Sequence, residues 1–92
     1  MDTTIGRARV VRFYPNRSGG GFGFLGVRLF HRGLFFHTAN GRKMNPEGTE
    51  FLEERETTVP TVDDVIVYCM GKGRQGPEAV VWAFAPGGSG LL

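Results

Sequence analysis

The chain has 92 residues, enough for one domain of ordinary size and too few for two. Its hydrophobic share of 40% and charged share of 22% exclude a disordered chain and fall short of the apolar content of a membrane protein. The net charge of +2 conceals a segregation, because residues 3–43 carry eight basic and no acidic side chains, whereas residues 44–64 carry seven acidic and one basic. Clustered cations suit a polyanionic partner, since they displace counterions from phosphates. Mutual neutralisation of the two halves within the fold explains the same pattern equally well.

Cysteine and glycine usage add two further expectations. The chain contains one cysteine, which cannot form an intramolecular disulfide, and its N-terminal residues lack the basic and apolar parts of a secretion signal. We therefore expect a cytoplasmic protein. Glycine supplies 15 of the 92 residues, about twice the usual ~7%, in clusters without a collagen-like period. This composition predicts many tight turns.

The first predicted strand covers residues 6–14. This segment is rich in β-branched and aromatic side chains, interleaved with arginines, and a Pro-Asn turn signal follows it. Strict alternation places Val11 on one face with Phe13, and Val10 on the other with Tyr14. A β-bulge would exchange these sets, so the parity of this strand stays open.

Two further strands are predicted at residues 21–27 and 34–38, and they are expected to form a hairpin. The first alternates small and large side chains, and the second continues the same period of two. One face of this hairpin then carries a ring at every second position. These rings belong to Phe22, Phe24, Phe35 and His37.

The remainder of the chain divides into a long connection, two strands and a tail. Residues 40–60 contain repeated turn signals and predict irregular structure, with a helical turn at 50–56, and such a long connection is often functional. Apolar runs at residues 62–70 and 77–84 predict the fourth and fifth strands. Residues 85–92 have the Gly-rich composition of a flexible tail.

Five short strands without a long helix predict an all-β fold. We expect a five-stranded antiparallel barrel of the OB type, with a long loop between strands 3 and 4, because a flat sheet of this size would leave two edges exposed. The domain would span residues 1–84. The predicted core consists of Val10, Leu25, Leu34, Phe36, Ile66, Tyr68, Val80 and Trp82.

Burying Leu34 and Phe36 in the barrel turns Phe35 and His37 outward. Phenylalanines at strand spacing are usually core residues, but a small barrel cannot bury both faces of its strands. Exposed rings among arginines match single-stranded nucleic acid, whose bases stack on aromatic groups and whose phosphates attract cations. Among these arginines, Arg7, Arg9 and Arg12 of the first strand are the predicted phosphate contacts.

Four segments of the chain resemble the cold-shock domain family, OB-fold barrels that bind single-stranded RNA and DNA. Residues 11–14 (VRFY) resemble the opening V-K-W-F of the family, and residues 21–25 (GFGFL) resemble its first ribonucleoprotein motif. Residues 34–37 (LFFH) resemble the second motif, and residues 73–79 (GRQGPEA) resemble the turn before the last strand. The order and spacing of these segments agree with the family pattern.

The resemblance implies a base-stacking platform with a basic residue beside it. The chain departs from the family pattern where Phe13 replaces a tryptophan and where Thr38 replaces a further aromatic residue. The resemblance also implies a chaperone of nucleic acids or a regulator of transcription or translation, with weak sequence preference. The implied platform consists of Phe13, Phe22, Phe24, Phe35 and His37, with Arg12 beside it.

No sign of catalysis appears in the sequence. Its glycine clusters are not followed by the Lys-Ser/Thr of a P-loop, one cysteine and two histidines do not form a spaced zinc motif, and no nucleophile stands beside a base. We therefore predict no enzyme activity, no cofactor or metal, and neither a small-molecule substrate nor a membrane as partner. One alternative function is an OB-fold adaptor that binds another protein. A further hypothesis is autoinhibition, in which the acidic segment 47–56 covers the basic face.

Overall fold

The computed structural model describes residues 4–74 and 76–86 of the chain. These residues form β-strands and one short 3-10 helix, Thr38–Asn40. Five of the strands close into a barrel, and the other two form a separate two-stranded sheet. In chain order the strands are β1 (Gly6–Pro15), β2 (Gly21–Leu25), β3 (Leu34–His37), β4 (Arg42–Met44), β5 (Phe51–Arg55), β6 (Val65–Gly73) and β7 (Gly76–Phe84).

The barrel has the strand order β1-β2-β3-β7-β6, with β6 closing on β1. The predicted all-β, OB-like barrel is confirmed. It is mixed rather than fully antiparallel, because β3 and β7 pair in parallel through Phe35 and Glu78. A parallel pair needs a long crossover between its strands, and the chain from β4 to β6 supplies one.

A β-bulge in β1 decides which face each of its residues occupies. Val10 and Arg12 pair with consecutive residues of β2, so Val11 between them is an extra residue and is 44% exposed. Val10 is fully buried, and after the bulge the inward positions become odd-numbered, beginning with Phe13. The bulge that the sequence left open is therefore present.

A second bulge, in β7, explains the one predicted core residue that lies outside. Ala79 and Val81 pair with consecutive residues of β6, so Val80 between them has no partner. Val80 is 39% exposed. The prediction of Val80 as a core residue is wrong, because the bulge shifts the alternation and the fully buried Ala79 takes the inward position.

The barrel interior is filled by large apolar side chains. Trp82 is fully buried, its ring meets that of Phe36 edge to face at 5.5 Å, and its indole N–H donates a hydrogen bond to the carbonyl of His37 at 2.8 Å. Tyr68 is half-buried against this cluster. Each fully buried large side chain contributes roughly 1.5–3 kcal/mol. The predicted core residues confirmed as buried are Val10, Leu25, Leu34, Phe36, Ile66 and Trp82.

The predicted irregular connection contains the β4–β5 hairpin. The amide side chain of Asn45 organises its turn by accepting hydrogen bonds from the backbone N–H groups of Thr49 and Glu50. The helical turn expected at 50–56 is wrong, because β5 lies there. Phe51 packs outside the barrel, and this tertiary contact overrides the local helix preference of the acidic residues.

A second apolar cluster joins this hairpin to the outer face of β6 and β7. Met44 and Phe51 pack against Val67, Ala83 and Ala85. The N–H of Ala85 also donates to the carbonyl of Val65 at 3.0 Å. The folded structure thus continues through Ala85, while residues 87–92 of the predicted tail lie outside the described part of the chain.

Candidate functional site

The outer face of β1, β2 and β3 gathers five rings, which we call the ring surface: Tyr14, Phe22, Phe24, Phe35 and His37. Strand register places them together, because Phe22 lies opposite Tyr14 on one side and opposite His37 on the other. Phe24 in turn lies opposite Phe35. Side chains opposite each other on one face of a sheet contact one another.

The rings support each other through direct contacts. Tyr14 stacks on Phe22 with centroids 5.2 Å apart, and Phe22 lies 5.7 Å from Phe35. Phe24 meets Phe35 nearly edge-on at 5.8 Å. Even so, Tyr14 remains 46% exposed and Phe22 39% exposed. Contiguous exposed apolar surface of this kind often marks a binding site.

Small residues on the inner face of β2 make room for the interior rings. A Cβ atom at Gly23 would lie 2.5 Å from the carbonyl oxygen of Arg12 and 2.8 Å from the ring of Phe36. Glycine at this position therefore lets the core approach the strand closely. The phenylalanines that alternate with the glycines of β2 are consequently all on the outer face.

Arg12 links the ring surface to the loop that follows β2. Its guanidinium carbon lies 4.8 Å from the centroid of Phe24, a cation–π contact. The same guanidinium donates a hydrogen bond to the backbone carbonyl of Arg32. The sequence predicted Arg12 beside the rings, and the structure brings it there.

His37 is held in a fixed orientation at the end of β3. Its Nδ1 accepts a hydrogen bond from the backbone N–H of Ala39 at 3.0 Å, which caps the short 3-10 helix. Its backbone carbonyl accepts the indole N–H of Trp82. The first of these bonds orients the imidazole next to Phe22, and the second fixes the backbone at the end of β3.

A groove of about 700 Å³ runs along the ring surface. Phe22, Phe24, Phe35 and His37 form one side, and Arg74 of the β6–β7 turn together with the first residues of β7 forms the other. This second side contributes an arginine and a carboxylate, which individual residue patterns did not single out. Only the parallel pairing of β3 with β7 brings them to the rings. The residues on this second side are Arg74, Gly76, Pro77 and Glu78.

Three predicted site residues are not part of the ring surface. Phe13 faces the barrel interior, half-buried, with its ring 6.1 Å from that of Phe36. Tyr14 takes the outward position that was expected for Phe13, because the bulge reverses the parity. Arg7 and Arg9 are exposed but pair with β6 instead of β2, so the structure does not bring them to the rings.

The acidic hairpin packs on a different side of the barrel from the rings. Its anchors, Met44 and Phe51, contact the outer face of β6 and β7. Its glutamates at positions 50, 53 and 54 are exposed there. A test of the autoinhibition hypothesis by deletion of residues 47–56 would therefore remove a packed anchor, Phe51, together with the acidic charges.

Two titratable groups outside the ring surface have a raised pKa. Burial raises the pKa of the Cys69 thiol and of the Tyr68 hydroxyl above their ordinary values. Within the described residues, no group of three or more His, Cys, Asp or Glu side chains is arranged to hold a metal ion. In the same part of the chain, no helix has the length and apolar character needed to cross a membrane.

Comparisons with protein families, with characterised proteins and with solved structures find no match to this chain. Function is therefore inferred from the residues of the ring surface, their geometry and the charges around them.

Proposed function

We propose that the ring surface binds single-stranded RNA or DNA. The observation that carries the proposal is a set of neighbouring rings, two of them exposed and three half-buried, with Arg12 beside Phe24 and Arg74 lining the groove. Unpaired bases stack on such rings irrespective of sequence, and each stacked base contributes on the order of 1–3 kcal/mol. Arginines beside the rings attract the phosphates that connect those bases.

The resemblance to the cold-shock domain family supports the same proposal. The two segments that resemble its ribonucleoprotein motifs are β2 and β3, which pair with each other and supply four of the five rings. Tyr14 replaces Phe13 as the first-strand member of the proposed stacking set. A protein that stacks unpaired bases without reading their edges favours unfolded nucleic acid, so we further propose a role as a nucleic-acid chaperone or as a regulator of transcription or translation.

Fluorescence anisotropy with labelled oligonucleotides tests this function. Single-stranded RNA and DNA and a matched duplex are titrated with the protein at low and at physiological salt. We expect the single strands to bind and the duplex to bind weakly, with log K falling by about 0.7 per neutralised phosphate for each tenfold rise in salt. Absence of single-strand binding would refute the proposal. A protein ligand bound through apolar contacts with little salt dependence would favour the adaptor function.

Substitution of two rings locates the site. The double variant Phe22→Ala, Phe35→Ala removes neighbouring rings and should weaken single-strand binding by about 30-fold or more, from two bases at about 1 kcal/mol or more each. The matched control, Leu52→Ala with Val62→Ala, removes two exposed apolar side chains away from the ring surface. Equal affinity of the folded ring variant and the control would place the binding site elsewhere.

A further inference from the structure

The loop between β2 and β3, residues 26–33, is held by its own apolar anchors. Val27 and Phe30 are half-buried against the barrel core. The N–H of Phe30 donates to the carbonyl of Val27 at 2.9 Å, and the N–H of Gly33 donates to the carbonyl of Phe30 at 2.8 Å. Two consecutive turns of this kind fix the loop, and the residues between the anchors face the solvent. Those residues include Arg28, His31 and Arg32, all exposed.

A cleft of about 460 Å³ opens between this loop and β1. We call it the loop cleft. Three arginines and one histidine line it, together with small and apolar residues, and none of its described lining residues is acidic. The cationic residues are Arg12, Arg28, His31 and Arg32.

Unlike two other clefts of the protein, the loop cleft has no carboxylate among its described lining residues. In the groove along the rings, Glu78 accompanies Arg74. In the third cleft, Glu56 and Asp64 accompany Lys43, and Glu56 lies 3.6 Å from the Lys43 ammonium. Guanidinium groups that surround one concavity without a carboxylate repel one another, so an anion bound there would relieve this repulsion. Arginine is the side chain best suited to bind a phosphate, because its planar guanidinium group can donate two parallel hydrogen bonds to phosphate oxygens.

The loop cleft adjoins one end of the ring surface. Arg12 lines the cleft while its guanidinium lies over the ring of Phe24. Gly33, at the end of the loop, approaches Phe24 so closely that a Cβ atom on this glycine would lie 2.9 Å from the Phe24 Cβ. A single strand of nucleic acid with one base stacked on Phe24 would therefore meet the loop cleft directly beyond that base.

We propose that the loop cleft is a second subsite, which binds the phosphodiester backbone of a single strand where it leaves the ring surface at Phe24. The proposal rests on the proposed function of the ring surface and extends it by naming the ligand group and the residues. Arg28 and Arg32 bind phosphate oxygens, and Arg12 connects the two subsites through its contact with Phe24. The loop cleft supplies affinity for strands long enough to pass beyond the rings, with no selection among bases.

The test is the dependence of affinity on strand length in the variant Arg28→Gln, Arg32→Gln. Oligothymidylates of about 4 and about 10 nucleotides fall within the site sizes of OB folds. Loss of two phosphate contacts should weaken binding of the longer strand by about 15-fold at 0.15 M salt and reduce its salt slope by about 1.4. Binding of the shorter strand, which the rings alone accommodate, should change by less than about twofold. The hydrogen bond from Arg12 goes to the backbone of Arg32 and does not depend on the substituted side chain.

The control variant, Arg7→Gln with Lys43→Gln, removes the same charge from positions outside both subsites. An equal loss of affinity in the control would assign the effect to net charge and overturn the proposed subsite. An equal loss for both strand lengths, or unchanged binding of the longer strand, would also overturn it. Circular dichroism checks the fold of each variant. If the double variant fails to fold, the single variant Arg28→Gln replaces it, and its expected loss in log K is half as large. Failure of the wild-type protein to bind either oligonucleotide would instead refute the proposed function itself.

Discussion

Phe13 and Tyr14 are sequence neighbours with opposite surroundings, and alanine at each position should produce opposite effects. Phe13 is half-buried beneath β2, with its ring 6.1 Å from that of Phe36. Tyr14 is 46% exposed and stacks on Phe22 at 5.2 Å. We therefore predict that Phe13→Ala reduces stability with little direct effect on binding. Tyr14→Ala should reduce binding with little effect on stability.

The expected stability changes follow from burial. Replacement of a fully buried Phe by Ala costs about 3–5 kcal/mol, so the half-buried Phe13 should lose about 2 kcal/mol. A domain of this size loses roughly 4–8 °C in Tm for each kcal/mol, and Phe13→Ala should melt about 10 °C lower. Tyr14→Ala removes two ring contacts on an exposed face, with Phe22 and with Phe24, and each is worth about 0.5 kcal/mol, the low end of the range for aromatic pairs.

The expected changes in affinity have the opposite order, with the larger loss in Tyr14→Ala. A stacked base contributes on the order of 1–3 kcal/mol, which corresponds to a loss of about 5- to 150-fold in affinity for Tyr14→Ala. Phe13→Ala leaves every ring of the ring surface in place. At a temperature where this variant remains folded, its affinity for single strands should stay within about threefold of wild type, allowing for slight relaxation of β2.

Two measurements on each variant decide the question. Thermal unfolding followed by circular dichroism gives the stability, and anisotropy with a labelled oligothymidylate gives the affinity. Tyr14→Phe serves as the matched control, because it keeps the ring and should bind like wild type. A stable Phe13→Ala variant with lost binding, beside a Tyr14→Ala variant with unchanged binding, would refute the assignment of faces after the bulge.

Three further outcomes follow from the structure. Gly23→Ala should destabilise the barrel by about 2 kcal/mol or more in urea unfolding, because its Cβ would lie 2.8 Å from the Phe36 ring; unchanged stability would contradict the tight packing. The raised pKa of the Cys69 thiol keeps it protonated in the folded state while the unfolded chain ionises near its ordinary value of 9.0, so stability should fall as pH rises above that value. Cys69→Ala should flatten this fall, and identical profiles would argue against it. Glu53→Gln with Glu54→Gln should change single-strand affinity by less than about twofold at physiological salt, because charges beyond about 8 Å are screened; much tighter binding would support masking by the hairpin.

Local patterns in the sequence predicted most of the barrel. The alternation of glycine and phenylalanine in β2 and of Leu34 to His37 in β3 has a period of two, which identifies both the strands and their faces. Register then brings the rings together, because residues opposite each other in a hairpin share a face. Phe22, Phe24, Phe35 and His37 were placed correctly on one surface for this reason.

The positions that the sequence could not place depend on bulges and on long-range pairing. A single extra residue reverses the alternation of a strand, so the outward exposure of Tyr14 and Val80 follows from bulges that neighbouring residue types do not reveal. The sequence also did not predict strand β5. Its acidic residues favour a helix locally, and only the packing of Phe51 against the barrel decides otherwise.

Spacing and composition were sufficient for the class of fold, for the hairpin that carries the rings and for the segregation of charge along the chain, because each of these is a local property. Which arginines accompany the rings depends instead on the closed barrel. Arg74 reaches the groove only through the parallel contact of β3 with β7, and Arg7 lies in the part of β1 that pairs with β6, at the other end of the strand from Tyr14. Charges far apart in sequence become neighbours only when strands close into a barrel, and no local pattern encodes that closure.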